Sequence, residues 1–144
     1  MNKSGIEKTT GLVTTQILAF ADTAVSVSAV FGNSGIVADS DGKKIIKAGT
    51  PMTGDLTART TAFTVAATAS TKIGATDEST PVDVKTDVSN AVGISLYDID
   101  VTSGNANATI LIGGYVDLNK VDSTTAALIT APVKAALNRV TFIK

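Results

Sequence analysis

The sequence contains no histidine and no cysteine among its 144 residues. Their absence excludes zinc sites built on these ligands, and also the Ser-His-Asp and Cys-His catalytic arrangements. No disulfide can form, so stability must come from a hydrophobic core or from bound partners. The 12 basic and 13 acidic side chains leave a formal charge of −1. This balance gives no positive field for phosphates, and we expect no nucleic-acid partner.

Long apolar runs are also missing, although the mean hydropathy is positive at +0.28. A membrane-spanning helix needs about 20 consecutive apolar residues, and the most apolar stretches, 17–21 and 110–116, are far shorter. The N-terminus has threonines where a signal peptide would have its apolar region. We therefore expect no membrane partner and no export by that route. The lack of cysteine is compatible with a reducing cytoplasm.

β-branched residues are abundant, with 22 Thr, 15 Val and 12 Ile against only six aromatic residues. Such side chains suit the pleated, half-buried surface of a sheet. Valines alternate with serines over residues 25–30, which predicts a strand with one buried face. The Asp41-Gly42 turn signal between residues 36–38 and 43–47 predicts a β-hairpin. We therefore predict a mainly β domain, built as a small sandwich or barrel.

The second half of the chain continues this pattern. Residues 68–89 are polar and predict a loop with one edge strand at 82–84. The strongest alternation covers residues 92–101 and changes phase near Tyr97-Asp98, which predicts a bend or a bulge. A long strand is predicted over residues 108–118, where the Gly113-Gly114 pair allows a bend or a close backbone approach.

The C-terminal residues predict one short helical segment at about 122–137. Asp122 or Ser123 is a candidate N-cap. Pro132 must either interrupt this helix or open a second one in its first turn. Residues 139–144 then return to the alternation of a strand.

Residues 1–22 predict an extended N-terminal arm, and the β-rich domain is expected to cover residues 23–144. Gly5 and Gly11 disfavour a helix in the arm, and its apolar residues follow no clear period. Such residues lack other burial, so we expect them to bind a partner, with an arm packed on its own domain as the alternative. The expected anchors are Ile6, Leu12, Val13, Ile17, Leu18 and Phe20.

Two acidic motifs are candidates for chemistry. Asp39-Ser40-Asp41-Gly42 matches the start of a calcium loop, but lysines follow it, and a turn is the preferred interpretation. Asp98 and Asp100 would act either as paired carboxylates or as solvated edge charges that discourage mispairing. No glycine-rich phosphate loop is present. We expect no enzyme activity, no catalytic residue, no metal and no cofactor.

Five short segments between residues 43 and 144 point to a family. They are Lys47-Ala48-Gly49-Thr50-Pro51-Met52, Asn90-Ala91-Val92-Gly93-Ile94, Ala106-Asn107-Ala108-Thr109-Ile110-Leu111-Ile112, Gly113-Gly114-Tyr115-Val116-Asp117-Leu118-Asn119 and Thr130-Ala131-Pro132-Val133-Lys134-Ala135-Ala136-Leu137. In these segments and in their order, the chain resembles the lambda-type head decoration proteins of tailed bacteriophages. Its N-terminal region, with the strand at 25–30, is longer than in those proteins.

This resemblance implies a small β domain of the β-tulip type on the outer surface of the mature capsid. There it would cement neighbouring capsomers against the pressure of the packaged DNA. It implies the major capsid protein as partner and a homotrimer at the local three-fold axes of the virion, which is assembled in the bacterial cytoplasm. The alternatives are the capsid-attached base of a head fibre and a bacterial surface or adhesion module. An adhesion module would need exposed aromatic residues, for which Tyr97 and Tyr115 are the candidates.

Overall fold

The computed structural model describes residues 16–73 and 84–144. These ranges contain short and long strands, two short helices and a 3-10 turn at Ala21–Thr23. The strands are β1 (Val25–Phe31), β2 (Ile45–Ile46), β3 (Pro51–Thr53), β4 (Thr64–Val65), β5 (Thr68–Ile73), β6 (Val84–Ser89), β7 (Gly93–Ser95), β8 (Ile99–Asp100), β9 (Ala106–Asp117) and β10 (Val140–Ile143). The helices are α1 (Ser123–Ala126) and α2 (Ala131–Ala136).

Strand β9 organises the sheet because it pairs with three other strands. It runs antiparallel to β1 and β7, and its last four residues run parallel to β10. From β7 the sheet continues through β3 to β4. Phe63, directly before β4, bridges back to Phe31 at the end of β1, and its N–H donates to the Val30 carbonyl at 2.8 Å. The sheet therefore closes into a small barrel of β1, β9, β7, β3 and β4.

One apolar cluster fills this barrel. Phe31, Met52 and Phe63 are fully buried in it, together with Ile110 from β9. The Phe63 ring lies directly over Gly54, where a β-carbon would collide with the ring. The glycine therefore makes room for one of the two phenylalanine rings of the barrel.

A second apolar cluster packs the C-terminal helices onto the sheet. Leu111 and Val116 of β9 contribute to it from the sheet, and Val133 and Leu137 from α2 and its C-terminal end. Strand β9 therefore supplies residues to both clusters and joins the barrel to the helical layer.

The helical segment forms with the predicted caps. The Asp122 carboxylate accepts the N–H groups of Thr124 at 3.1 Å and Thr125 at 3.3 Å, which satisfies free donors at the start of α1. Pro132 lies in the first turn of α2, so it opens a second helix. The prediction of a mainly β domain with a short C-terminal helical segment is confirmed.

The hairpin predicted around residue 42 differs from the structure. The turn itself forms, because Asp39 Oδ1 accepts the N–H groups of Asp41 and Lys43, both at 2.9 Å. Residues 36–38 form no strand, and Val37 is 88% exposed. The second predicted strand of the hairpin forms β2, which pairs with β8 instead. This pairing buries Ile46 in the barrel cluster.

The predicted loop at residues 68–89 is also different. Strands β5 and β6 form an antiparallel hairpin that runs from the Thr68–Ser89 pair to the Ile73–Val84 pair. The edge strand predicted at 82–84 lies outside the described residues except for Val84. Both strands carry polar or charged residues at most positions, so the sequence shows no apolar alternation that would reveal them.

Candidate interaction surface

The six predicted anchors separate into three groups. Ile6, Leu12 and Val13 lie outside the described residues. Ile17 and Leu18 are buried in the cluster that holds the C-terminal helices. Phe20 is 57% exposed. Of the described anchors, Phe20 alone presents a large apolar surface to solvent.

Residues 17–19 are held as an extra strand beside the last residues of β9. The Ala19 N–H donates to the Tyr115 carbonyl and the Asp117 N–H to the Ile17 carbonyl, both at 2.9 Å. Lys120 Nζ adds a hydrogen bond of 3.0 Å to the Leu18 carbonyl. This placement differs from the expectation for Ile17 and Leu18, since their side chains are buried in the chain's own core and offer no surface to a second protein. The packed domain therefore begins before residue 23.

An exposed apolar surface lies where this extra strand turns towards β1. The Phe20 and Tyr115 rings meet edge to face, with centroids 5.5 Å apart and an interplanar angle of 82°. Val25 is 55% exposed and Tyr115 is 39% exposed. We call Phe20, Val25 and Tyr115 the aromatic patch. A cavity of about 310 Å³ adjoins it, lined by Thr23, Val25, Ile112, Gly113, Gly114, Tyr115, Arg139 and Thr141.

The glycine pair of β9 explains the shape of this surface. Gly114 has a φ of 132°, a conformation that other residues rarely adopt. A β-carbon there would lie 3.2 Å from Ala24 Cα, so the two backbones approach closely. The register of β1 against β9 also shifts between Val25 and Ser26. Of the two outcomes predicted for Gly113-Gly114, the close backbone approach is therefore present, and the register of β1 is irregular beside the patch.

The chemistry of the patch suits protein recognition. Aromatic side chains and arginine are enriched at the centres of protein interfaces, and aromatic rings bury much area at a low cost in side-chain entropy. Arg139 lines the adjoining cavity, so the apolar surface has a cation at its border. Within residues 16–73 and 84–144, the ion pair observed is Lys47–Asp98, and Arg139 has no acidic partner there.

The acidic pair of Asp98 and Asp100 has structural roles in this molecule. Asp98 accepts the Ala48 N–H at 2.7 Å and pairs with Lys47 Nζ at 3.1 Å. Asp100 accepts the Thr102 N–H at 2.8 Å, and hydrogen bonds from the Thr102 side chain and backbone lower the pKa of this carboxylate. Asp98 thus joins its loop to the segment before β3, and Asp100 orders its own turn. In the described part of the chain, no three acidic side chains lie close enough to hold a metal ion.

The sequence pattern predicts Phe20 as a surface anchor but not the other two members of the patch. Alternation places Val25 on the buried face of a strand, and its exposure follows from its position at the very start of β1. Tyr115 is predicted from the sequence only as a candidate for sugar stacking. Its position directly after the glycine pair is the available signal, since a bend in a strand redirects the following side chain. Tyr97, the other aromatic candidate, packs against the second apolar cluster.

Comparison with known proteins gives no family assignment. No protein-family model matches the chain, and no curated protein matches it. No helix in residues 16–73 and 84–144 is both long and apolar enough to cross a membrane.

Proposed function

We propose that this chain is a non-enzymatic structural protein of a tailed-phage head. It binds the outer surface of the mature capsid, through the major capsid protein, and cements neighbouring capsomers against the pressure of the packaged DNA. The observation that carries the proposal is the aromatic patch, an exposed apolar surface beside the segment that joins residues 1–15 to the folded domain.

The segments that resemble decoration proteins support this proposal through their positions. They fall on β3, β7, β9 and α2, the elements that build the barrel and the helical layer. The segment at 113–119 also supplies Tyr115 of the patch and the glycine pair that shapes it. The segments that resemble decoration proteins therefore include residues of the sheet, of the helical layer and of the aromatic patch.

The physical properties of the chain fit a cement protein. Charged residues make up 17% of the sequence, against about 25% in typical soluble domains, so little charge has to be desolvated on binding. A patch of three side chains gives modest affinity alone. Several weak contacts, repeated around the expected trimer, gain strength because each bound contact raises the effective concentration of the next. Binding also stabilises the folded state by mass action, which suits a chain without disulfides.

The test is co-sedimentation of the purified chain with expanded, undecorated heads, assembled from the major capsid protein encoded in the same genome. We expect the full chain to sediment with the heads. The double variant Phe20→Ala/Tyr115→Ala should bind at least about tenfold more weakly, because interface aromatics contribute about 2 kcal/mol or more. Val37→Ala is the matched control, since it also truncates an exposed apolar side chain, outside the patch.

A third variant lacks residues 1–15 and retains Ile17 and Leu18, which are buried in the second apolar cluster. Weaker binding by this truncated chain assigns a contact to the upstream segment. If binding is unchanged, residues 1–15 make no contact with the capsid, and the proposal then rests on the aromatic patch alone. The proposal as a whole is contradicted if the full chain does not bind expanded heads, or if the Phe20→Ala/Tyr115→Ala variant binds as well as Val37→Ala.

A further inference from the structure

The outer edge of β1 is only partly covered. At the end of the strand, the Val30 N–H donates to the Arg59 carbonyl at 3.1 Å and the Val30 carbonyl accepts the Phe63 N–H at 2.8 Å. The Ser28 carbonyl faces the same edge and accepts Arg59 Nη1 at 2.9 Å. Because alternate residues of a strand direct their backbone groups to the same edge, Ser26 presents its N–H and carbonyl there as well. In residues 16–73 and 84–144, no strand pairs with the first half of this edge.

Strand β1 carries none of the usual protection against pairing in its own sequence, and Arg59 covers its edge only at the Ser28 carbonyl and Val30. Proteins protect open edges with charged residues, prolines or very short strands. Strand β1 has seven residues and contains neither charge nor proline. By contrast, Arg139 and Lys144 flank β10, and Lys44 and Lys47 flank β2. The side chains of Ser26 and Ser28 are exposed, so a second strand has access.

We propose that the first half of β1 pairs antiparallel with the same edge of a second copy of this chain, around a two-fold axis at Val27. In this register Ser26 of one copy lies opposite Ser28 of the other. Their backbone groups can then form four hydrogen bonds across the axis. Directly opposite residues share a face of the sheet, so valine meets valine at the axis and serine meets serine on the solvent face.

Charges at the two ends of β1 favour a second copy as the occupant. Asp22 is exposed just before the strand begins, and Arg59 lies beside its far end. An antiparallel arrangement brings the start of each β1 alongside the end of the other, so each Asp22 meets the Arg59 of the second copy. The incoming strand would displace the guanidinium from the Ser28 carbonyl and free it for this ion pair. The strand itself thus carries no charged side chain, and the charged groups beside its two ends are complementary.

This pairing is independent of the proposed capsid function, and of the aromatic patch it involves Val25 but neither Phe20 nor Tyr115. It gives a closed two-fold dimer in which each copy covers the pairing edge of the other. The family resemblance implies a trimer instead. The mass of the particle in solution therefore distinguishes the two assemblies.

The experiment is sedimentation velocity of the full chain over a range of concentrations. We expect a species of twice the chain mass of 14.6 kDa. Ser26→Lys places an ammonium group beside the axis in each copy and should weaken dimerisation by about tenfold or more, equivalent to about 1.4 kcal/mol. Ser103→Lys adds the same charge in the exposed turn before β9 and should leave dimerisation unchanged.

Exchange of the charges at Asp22 and Arg59 tests the antiparallel register of the two β1 strands, because both residues lie outside β1. Asp22→Arg should weaken the dimer, and Asp22→Arg/Arg59→Asp should restore most of the loss. Circular dichroism and thermal unfolding confirm that each variant is folded. The proposal is overturned by a monomer at all concentrations, by a trimer, by equal effects of Ser26→Lys and Ser103→Lys, or by a double exchange that restores nothing.

Discussion

Replacement of Ile17 by alanine tests whether residues 17–19 belong to the folded domain or to a free arm. Ile17 is fully buried, and its carbonyl accepts the Asp117 N–H at 2.9 Å. The substitution keeps this backbone hydrogen bond and removes only buried methyl and methylene groups. A loss of stability would therefore report the packing of the side chain in the domain core.

The structure sets the size of the expected effect. Burying an isoleucine side chain stabilises a fold by about 1.5–3 kcal/mol. Truncation to alanine also leaves a cavity, which brings typical losses to about 2–5 kcal/mol. The site is enclosed by sheet and helix residues that are themselves buried, so it has little freedom to collapse. We therefore expect Ile17→Ala to lower the free energy of unfolding by about 3–4 kcal/mol.

Urea unfolding followed by circular dichroism provides the measurement. Phe20→Ala is the internal control, because it lies three residues away but is more than half exposed. It should cost less than about 1 kcal/mol. A loss of less than about 1 kcal/mol for Ile17→Ala, equal to that of the control, would refute the placement of residue 17 in the core.

Three further predictions concern the turns and loops. Gly114→Ala should lower stability by about 1–3 kcal/mol, because its φ is 132° and its β-carbon would lie 3.2 Å from a backbone atom. Gly104→Ala has a φ of 138° but open space, so it should cost less in thermal unfolding, and a larger loss there would contradict the crowding argument. Asp98→Ala should cost about 1.5–3 kcal/mol in urea, because the carboxylate is only 10% exposed. Lys47→Ala should cost less than about 1 kcal/mol, and equal losses would be inconsistent with this reasoning. The pKa of Asp100 is lowered below 3.8, mainly by the neighbouring threonine hydroxyl, so its stabilisation is present at neutral pH and is lost as the pH falls through the folded-state pKa. Asp100→Asn should flatten the pH dependence of the unfolding free energy in that acidic range, and an unchanged slope would count against the hydrogen bond.

Local chemistry in the sequence predicts the local structure well. Asp122 caps α1 and Pro132 opens α2 because each acts on backbone groups only a few residues away. The phase change near Tyr97 is also local, since Ser95 Oγ donates to the Tyr97 carbonyl at 2.6 Å and fixes the bend between β7 and β8. In all three cases the interacting groups lie within four residues of each other.

Pairing between distant strands is what the sequence does not reveal. The turn at Asp39 forms as predicted, yet β2 pairs with β8 because Ile46 and Val101 are buried together in the barrel. Backbone hydrogen bonds are the same for every sequence, so alternation identifies a strand but not its partner. The burial of Ile17 is equally hidden in the sequence pattern, because the β9 residues beside it lie about a hundred positions later in the chain.

The aromatic patch and the start of β1 both adjoin Gly114. Ala19 is hydrogen-bonded to Tyr115, and Val25 is paired with Gly113. The five residues 20–24 therefore lie opposite a single residue of β9, Gly114. The close approach of Gly114 to Ala24 leaves no room for continued pairing, and the excess chain forms the 3-10 turn. Phe20 lies directly before that turn, and its ring contacts the Tyr115 ring. Strand β1 begins after the turn, at Val25. A folded Gly114→Ala variant should therefore weaken both head binding and self-association, whereas changes at the patch and at Ser26 should affect one activity each.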